Sequence, residues 1–173
     1  IGSYTTPFTG NYDGGGHTIT GLTINRPSTN YIGFFGHTDF HCSITNLGLV
    51  TVSVTGAERT GGLSGGIYRS SVSKCYITGS VTGNRFVGGL AGDANTSTIS
   101  DCYSRASVSG FSYIGGFIGI FGSGTARYIY STGLVTATSA PVGGLFGPVS
   151  VSTANDSFWD TETSNQTNST LGT

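Results

Sequence analysis

Val-Gly-Gly-Leu-Ala-Gly at 87–92 returns as Val-Gly-Gly-Leu-Phe-Gly at 142–147. The heart of this stretch is a large apolar residue followed, two positions later, by glycine. It recurs as Phe8/Gly10, Phe34/Gly36, Leu63/Gly65, Leu90/Gly92, Phe117/Gly119 and Leu145/Gly147. Successive apolar residues are 26, 29, 27, 27 and 28 positions apart. A period this steady means one structural unit repeated, each copy touching mainly its neighbours.

Aligning the copies exposes further columns. Leu22, Leu47, Cys75, Cys102, Ile129 and Phe158 follow the apolar residue by 12 to 14 positions. They are expected to form one inward stack. Three positions earlier stand Ile19, Ile44, Val72, Ile99 and Ala126; two positions later come Ile24, Leu49, Ile77, Ser104 and Ser131. A late column holds Val54, Val81, Val108 and Val135, flanked by Ser and Thr. This is period-two patterning in short runs between Gly, Asn and Ser turns, which reads as strands.

No 3.6-residue apolar stripe persists, and glycine supplies 30 of 173 residues, so ordinary helices have no place to form. The expected fold is all-β: a parallel β-solenoid of about six rungs of roughly 27 residues. Strands about 4.8 Å apart would give a rod about 25–30 Å long. A β-propeller blade needs about 40 residues, and leucine-rich repeats need more leucine. The chain reads as a single domain over 1–173, with 164–173 as a polar tail or linker.

Composition narrows the function classes. Charged residues are 9% and the formal net charge is −1, which argues against a nucleic-acid partner. No apolar run is long enough to span a membrane. The chain has neither an initiator Met nor a signal peptide, so it is expected to be a processed product or an excised segment. Low charge with abundant Gly, Ser, Thr and Asn suggests an extracellular or cell-surface location.

The three cysteines read as apolar: Cys75 and Cys102 occupy equivalent places on adjacent rungs, as core residues or a disulfide. Cys42 lies near His37 and His41, but no further ligand completes a metal set. No cofactor or metal is expected. The acidic residues Asp13, Asp39, Glu58, Asp93, Asp101, Asp156, Asp160 and Glu162 fall mostly in different columns. Paired catalytic carboxylates instead sit about 5–10 Å apart. Asp101 shares a column with Lys74, and Glu58 with Arg85, as cross-rung ion pairs. Asp156, Asp160 and Glu162 read as a solvated terminal turn, and His17 as packing at the first turn. No enzyme activity is expected.

One column invites recognition. Tyr76, Tyr103, Tyr130 and Trp159 each follow the core column by one residue, so alternation turns them outward. They are the candidate ligand or partner surface, for sugar rings or another protein; the competing readings are a self-packing ladder and an inward turn that spares Ser104 and Ser131 the core. Paired columns Ser53/Ser80/Ser107 and Thr55/Thr82/Ser109/Thr136 resemble the flat hydroxyl faces of ice-binding solenoids, but Leu134 interrupts the first and ordinary strand propensity explains both. Asn95, Asn155, Asn165 and Asn168 stand in glycosylation-acceptor patterns that such a Ser/Thr-rich chain produces by chance.

The Val-Gly-Gly-Leu-x-Gly segments resemble the GLUG motif. Ile99-Ser-Asp-Cys-Tyr103 and Val72-Ser-Lys-Cys-Tyr76 are similar to that family's asparagine-cysteine-tyrosine region, with Asp or Lys replacing Asn. Phe8-Thr-Gly-Asn-Tyr-Asp-Gly-Gly-Gly-His-Thr-Ile19 resembles the segment that opens such arrays, and Ser157-Phe-Trp-Asp-Thr-Glu-Thr163 the one that ends them. The resemblance implies a repeat region of secreted or surface proteins of bacteria and archaea, including adhesin-like proteins and IgA-cleaving metallopeptidases. It carries over no catalytic residue, and the chain has no His-Glu-x-x-His zinc motif.

The expected function is therefore a non-catalytic extracellular structural or adhesion module: a stalk, an adhesin or a self-assembling surface unit. The alternatives are a carbohydrate-binding module using the aromatic column, then a polysaccharide-active enzyme fragment or an ice-binding protein. Expected partners are host or cell-surface glycans or proteins. Strand edges at the solenoid's ends also make end-to-end self-association an expectation.

Overall fold

The computed structural model describes residues 1–172. It is all-β, 56% strand and 2% helix, and its parallel strands wind into a β-solenoid of about five turns. Three sheets run its length. The first contains Gly48–Thr55, Tyr76–Thr82 and Tyr103–Gly110, crowned by Thr18–Thr20 and Thr23–Asn25 and followed by Tyr130–Ser131, Val135–Ala137 and Phe158–Trp159. The second stacks Glu58–Gly61, Arg85–Gly88, Ser112–Gly115 and Val142–Gly143. The third joins Phe35–Thr38, Ser64–Tyr68 and Ala91–Asn95 to Ser43–Thr45, Ser71–Ser73 and Ser97–Ser100 through the long strand Ile118–Arg127.

Six motif copies give about five turns rather than the six rungs expected. A turn closes only when the chain has passed all three sheets. The first copy, at Phe8, makes only an isolated bridge to Thr38, and the last ends in a cap.

The repeat glycines are close-approach positions. A Cβ on Gly62 would lie 2.7 Å from Ile77 Cγ2, and one on Gly119 would lie 2.5 Å from the Val87 nitrogen. The Gly-Gly pair thus makes room for the facing core column. The later glycine lets neighbouring turns pass backbone against backbone.

Corners between sheets use residues with left-handed backbone. Tyr31, Arg59, Phe86 and Tyr113 form one such column (φ 57, 56, 56 and 61°), and Asn46, Lys74, Asp101, Tyr128 and Asp156 another (φ 55, 53, 54, 53 and 49°). Each non-glycine residue there costs about 1–2 kcal/mol, offset by the strands the corner allows to pack.

The core columns run as read in the middle of the rod. Ile44, Val72, Ile99 and Ala126 pair in register, as do Val54, Val81, Val108 and Val135. Leu47, Cys75, Cys102 and Ile129 are buried. All three cysteines are free thiols, and the Cys75 amide donates to Cys102 Sγ at 3.3 Å.

Both ends of that stack need correction. Phe158 is 52% exposed, because it pairs with Tyr130 and the unit is displaced by one place. Ser157 takes the inward position: its Oγ donates to the Asn155 carbonyl, as Cys102 Sγ does to that of Ser100. At the other end Ile19 pairs with Leu49 and Ile24 with Val54. Leu22 therefore does not sit over Leu47, and Tyr12 rather than Ile19 pairs with Ile44. The first coil carries apolar residues at 19, 22 and 24, and the register it adopts sets 19 and 24 on Leu49 and Val54.

The segment from Ser164 to Gly172, expected as a polar tail or linker, lies across the last rung. Gly144 N donates to the Asn168 carbonyl, Phe146 N to Ser169 Oγ, and Thr170 Oγ1 to the Gly147 carbonyl. Leu171 packs on the core. Thr173 lies outside the described residues. At the opposite end a cleft of about 540 Å³ lies among Ile1, Leu22, Ile24, Ile32 and Phe34. Among the described residues, no helix is long and apolar enough to cross a membrane.

Candidate functional site

The aromatic column lies on the outer face of the first sheet. Tyr76, Tyr103 and Tyr130 are directly in register and half-buried. Ser104 and Ser131 are fully buried on the opposite face, so the inward alternative for the tyrosines does not hold. Small serines suit that place because the second glycine of each Gly-Gly pair packs onto it.

Spacing by one rung brings the rings into contact. Tyr76 and Tyr103 stack at 4.9 Å and 9°, Tyr103 and Tyr130 at 4.8 Å and 7°. Above them, Tyr76 crosses Gly48, where a Cβ would meet its Cζ at 2.5 Å. Each inner ring face is therefore covered by a neighbour. Between Tyr76 and Tyr130 the column therefore offers solvent ring edges and hydroxyls rather than the open aromatic face that stacks on a sugar. Arg105 lies over Tyr103 and Tyr130 at 5.3 and 5.9 Å, and its Nη2 donates to Tyr130 Oη at 3.3 Å. Burial pushes the Tyr103 hydroxyl pKa up, with the neighbouring phenols adding to it.

Trp159 does not belong to this column. It pairs with Ser131 on the inward side, packs against Gly144 and donates from Nε1 to the Gln166 carbonyl at 3.0 Å. Phe158 occupies the outward place instead. A sequence signal for this exists: Asn155-Asp156-Ser157 matches Ser100-Asp101-Cys102, with Asp at the left-handed corner in both.

A second cluster leaves no signal in the repeat because its residues are chemically unlike. At one corner Arg59 lies over Tyr31 and Phe86 at 5.1 and 4.8 Å, and Arg85 over Phe86 and Tyr113 at 5.1 Å each. Beneath it, buried Asp93 accepts from Arg59 Nε at 3.1 Å and from Tyr68 Oη at 2.5 Å. Burial, then the Asp93 carboxylate, drives the Tyr68 pKa far up. His37 sits next to this group, 4.7 Å from Tyr68 ring to ring.

The charge pairing differs from the expected one. Arg85 and Glu58 are register partners, yet Arg85 spreads over aromatic rings while Glu58 lies 3.7 Å from Arg59. Lys74 and Asp101 occupy one corner column without an ion pair among the described residues. Asp39 is instead held by Arg69 through Nε and Nη2, at 2.7 and 2.6 Å. Asp160 is committed as well: it caps the helical turn Thr161–Ser164 by accepting from Glu162 and Thr163. Asp156 and Glu162 are exposed, as is His17 at the first turn. No group of three His, Cys, Asp or Glu residues stands where it could hold a metal, among the described residues.

No family model matches the chain, and no solved structure matches it. The chain is similar to Halomucin of Haloquadratum walsbyi, with 40% identity over 72 residues. That stretch is 42% of this chain and 1% of Halomucin. The likeness is thus confined to a small part of a much longer protein.

Proposed function

We propose that this chain is a non-catalytic structural module of an exported surface protein, built from GLUG-type repeats and serving as a rigid stalk or spacer. The observation that carries this is the continuity of its columns. Parallel pairing runs from the first coil to the cap, and the chemically interesting side chains are spent on each other. The tyrosine faces are stacked, Asp39 and Asp93 are held by arginines, and Asp160 caps a helical turn. Partial similarity to a protein named as a mucin supports an extracellular setting.

Stretching single molecules between the ends tests the reading. A stalk resists force and then unfolds in a few large cooperative steps, because each rung is stabilised by both neighbours. Extension at low force without a resolved rupture would reject it. A second reading, recognition of an acidic glycan, is favoured by the exposed Arg105 guanidinium beside the tyrosine hydroxyls. A glycan array on which Arg105→Ala abolishes a signal would select it.

A further inference from the structure

The N-terminal segment Ile1–Phe8 is a clip laid over the start of the third sheet. The Ile1 amino group donates to the Phe34 carbonyl at 2.8 Å, and the Gly36 amide to the Ile1 carbonyl at 2.8 Å. The Phe8 amide donates to the His37 carbonyl at 2.9 Å, and the Asp39 amide returns a bond to Phe8 at 3.1 Å. Tyr4 stacks on Tyr31 at 4.7 Å and lies 5.6 Å from the His37 ring. Under this clip His37 is 4% exposed, enclosed by Tyr4, Tyr31 and Tyr68.

His37 Nδ1 is buried without a hydrogen-bond partner. It faces Gly66, where even a Cβ would lie 2.7 Å away. An imidazolium carries a proton on both nitrogens. Charging this ring would therefore bury a cationic donor with no acceptor.

The surrounding charges do little to help it. On its own strand's side Asp39 is tied to Arg69, which follows the Ser64–Tyr68 strand. From Ala91–Asn95, Asp93 is tied to Arg59 of the second sheet and to Tyr68. Tyr31 and Tyr4 present rings. Burial holds the His37 pKa below its usual value, only partly countered by Asp39 and Asp93, while Arg59 and Arg69 add to the lowering.

We infer that Ile1–Phe8 is a pH-sensitive clip: protonation of His37 releases it from Phe35–Thr38. Opening wets the imidazole and frees the backbone groups that now bind Ile1 and Phe8. The clip is shut at neutral pH, where the buried ring is uncharged. It loosens as pH falls below the ordinary histidine value of about 6.5. Asp39, held low by Arg69, stays charged through this window, so the Asp39–Arg69 pair is not what gives way.

Amide hydrogen exchange between pH 8 and 5, corrected for intrinsic rates, reads the clip directly. The Phe8, Gly36 and Asp39 amides should lose protection as the pH falls, in proportion to how far the closed site lowers the His37 pKa and by no more than about thirtyfold at pH 5, the limit set by an ordinary histidine value of about 6.5. The Phe117 amide, bonded to Leu145, should keep its protection. His37→Phe should hold the clip amides protected at pH 5. In Tyr4→Ala, which alters only an exposed side chain of the clip, the His37 pKa followed by NMR should rise toward its ordinary value. The inference is overturned by clip amides insensitive to pH, by equal loss in His37→Phe, or by an unchanged His37 pKa in Tyr4→Ala.

Discussion

Ser104, fully buried, packs against Gly89 so closely that a Cβ on the glycine would overlap its Oγ. The same relation joins Gly116 to Ser131 and Gly62 to Ile77. The Gly-Gly of the repeat is thus one half of an interlock whose other half lies in the first sheet. Overpacking a filled core costs about 1–3 kcal/mol. Gly89→Ala should lose stability in that range in urea unfolding, and Ser104→Gly should restore part of it in the double variant. Additive losses would show that the two do not touch.

The displaced final unit gives a sharp contrast between two apolar residues. Ile129 is fully buried, while Phe158 is half exposed. Ile129→Asp should abolish cooperative unfolding, since it would bury a carboxylate in the apolar stack. Phe158→Asp should change stability by no more than about 0.5 kcal/mol. Thermal melts followed by circular dichroism compare the two. Equal damage would contradict the register described for Phe158–Trp159.

Tyr103 is stacked on both faces, unlike its neighbours. Aromatic pairs contribute about 0.5–1.5 kcal/mol each beyond area burial. Tyr103→Ala should therefore cost about 1–3 kcal/mol on that basis, while Tyr103→Phe should leave the melt nearly unchanged. A larger penalty for the Phe variant would mean that the hydroxyl, not the ring stack, carries the column.

Two acid windows should separate on titration. His37 has a folded pKa lowered by burial, so its contribution is intact above the ordinary histidine value and is lost as pH falls through the lowered one. Asp39 is lowered chiefly by its hydrogen bond from Arg69. Its contribution is intact above the ordinary aspartate value and disappears only as pH drops through the depressed one. Chemical denaturation from pH 8 to 2 should show both losses in wild type. The later one should vanish in Asp39→Asn, and its persistence there would assign the acid loss to other groups.

How much was legible beforehand follows from how each residue makes its contacts. The 27-residue recurrence and the alternating Val, Ile and Cys columns required parallel stacking, because in-register neighbours of one chain fall on adjacent turns. Outward placement of Tyr76, Tyr103 and Tyr130 followed from alternation alone. Three things were decided only in space. The rings of the tyrosine column lie flat on each other because the rung spacing equals a stacking distance. The left-handed corners at Arg59, Phe86 and Tyr113 accept unlike residues, so their aromatic–guanidinium strip leaves no repeating letter. The first and last coils depart from the repeat, and their register follows the residues that cover the core there. That is why Trp159 turned inward, Phe158 outward, and Ser164–Gly172 folded across the rod. Periodicity describes what every turn shares, and only the tertiary structure could decide where the first and last turns depart from it.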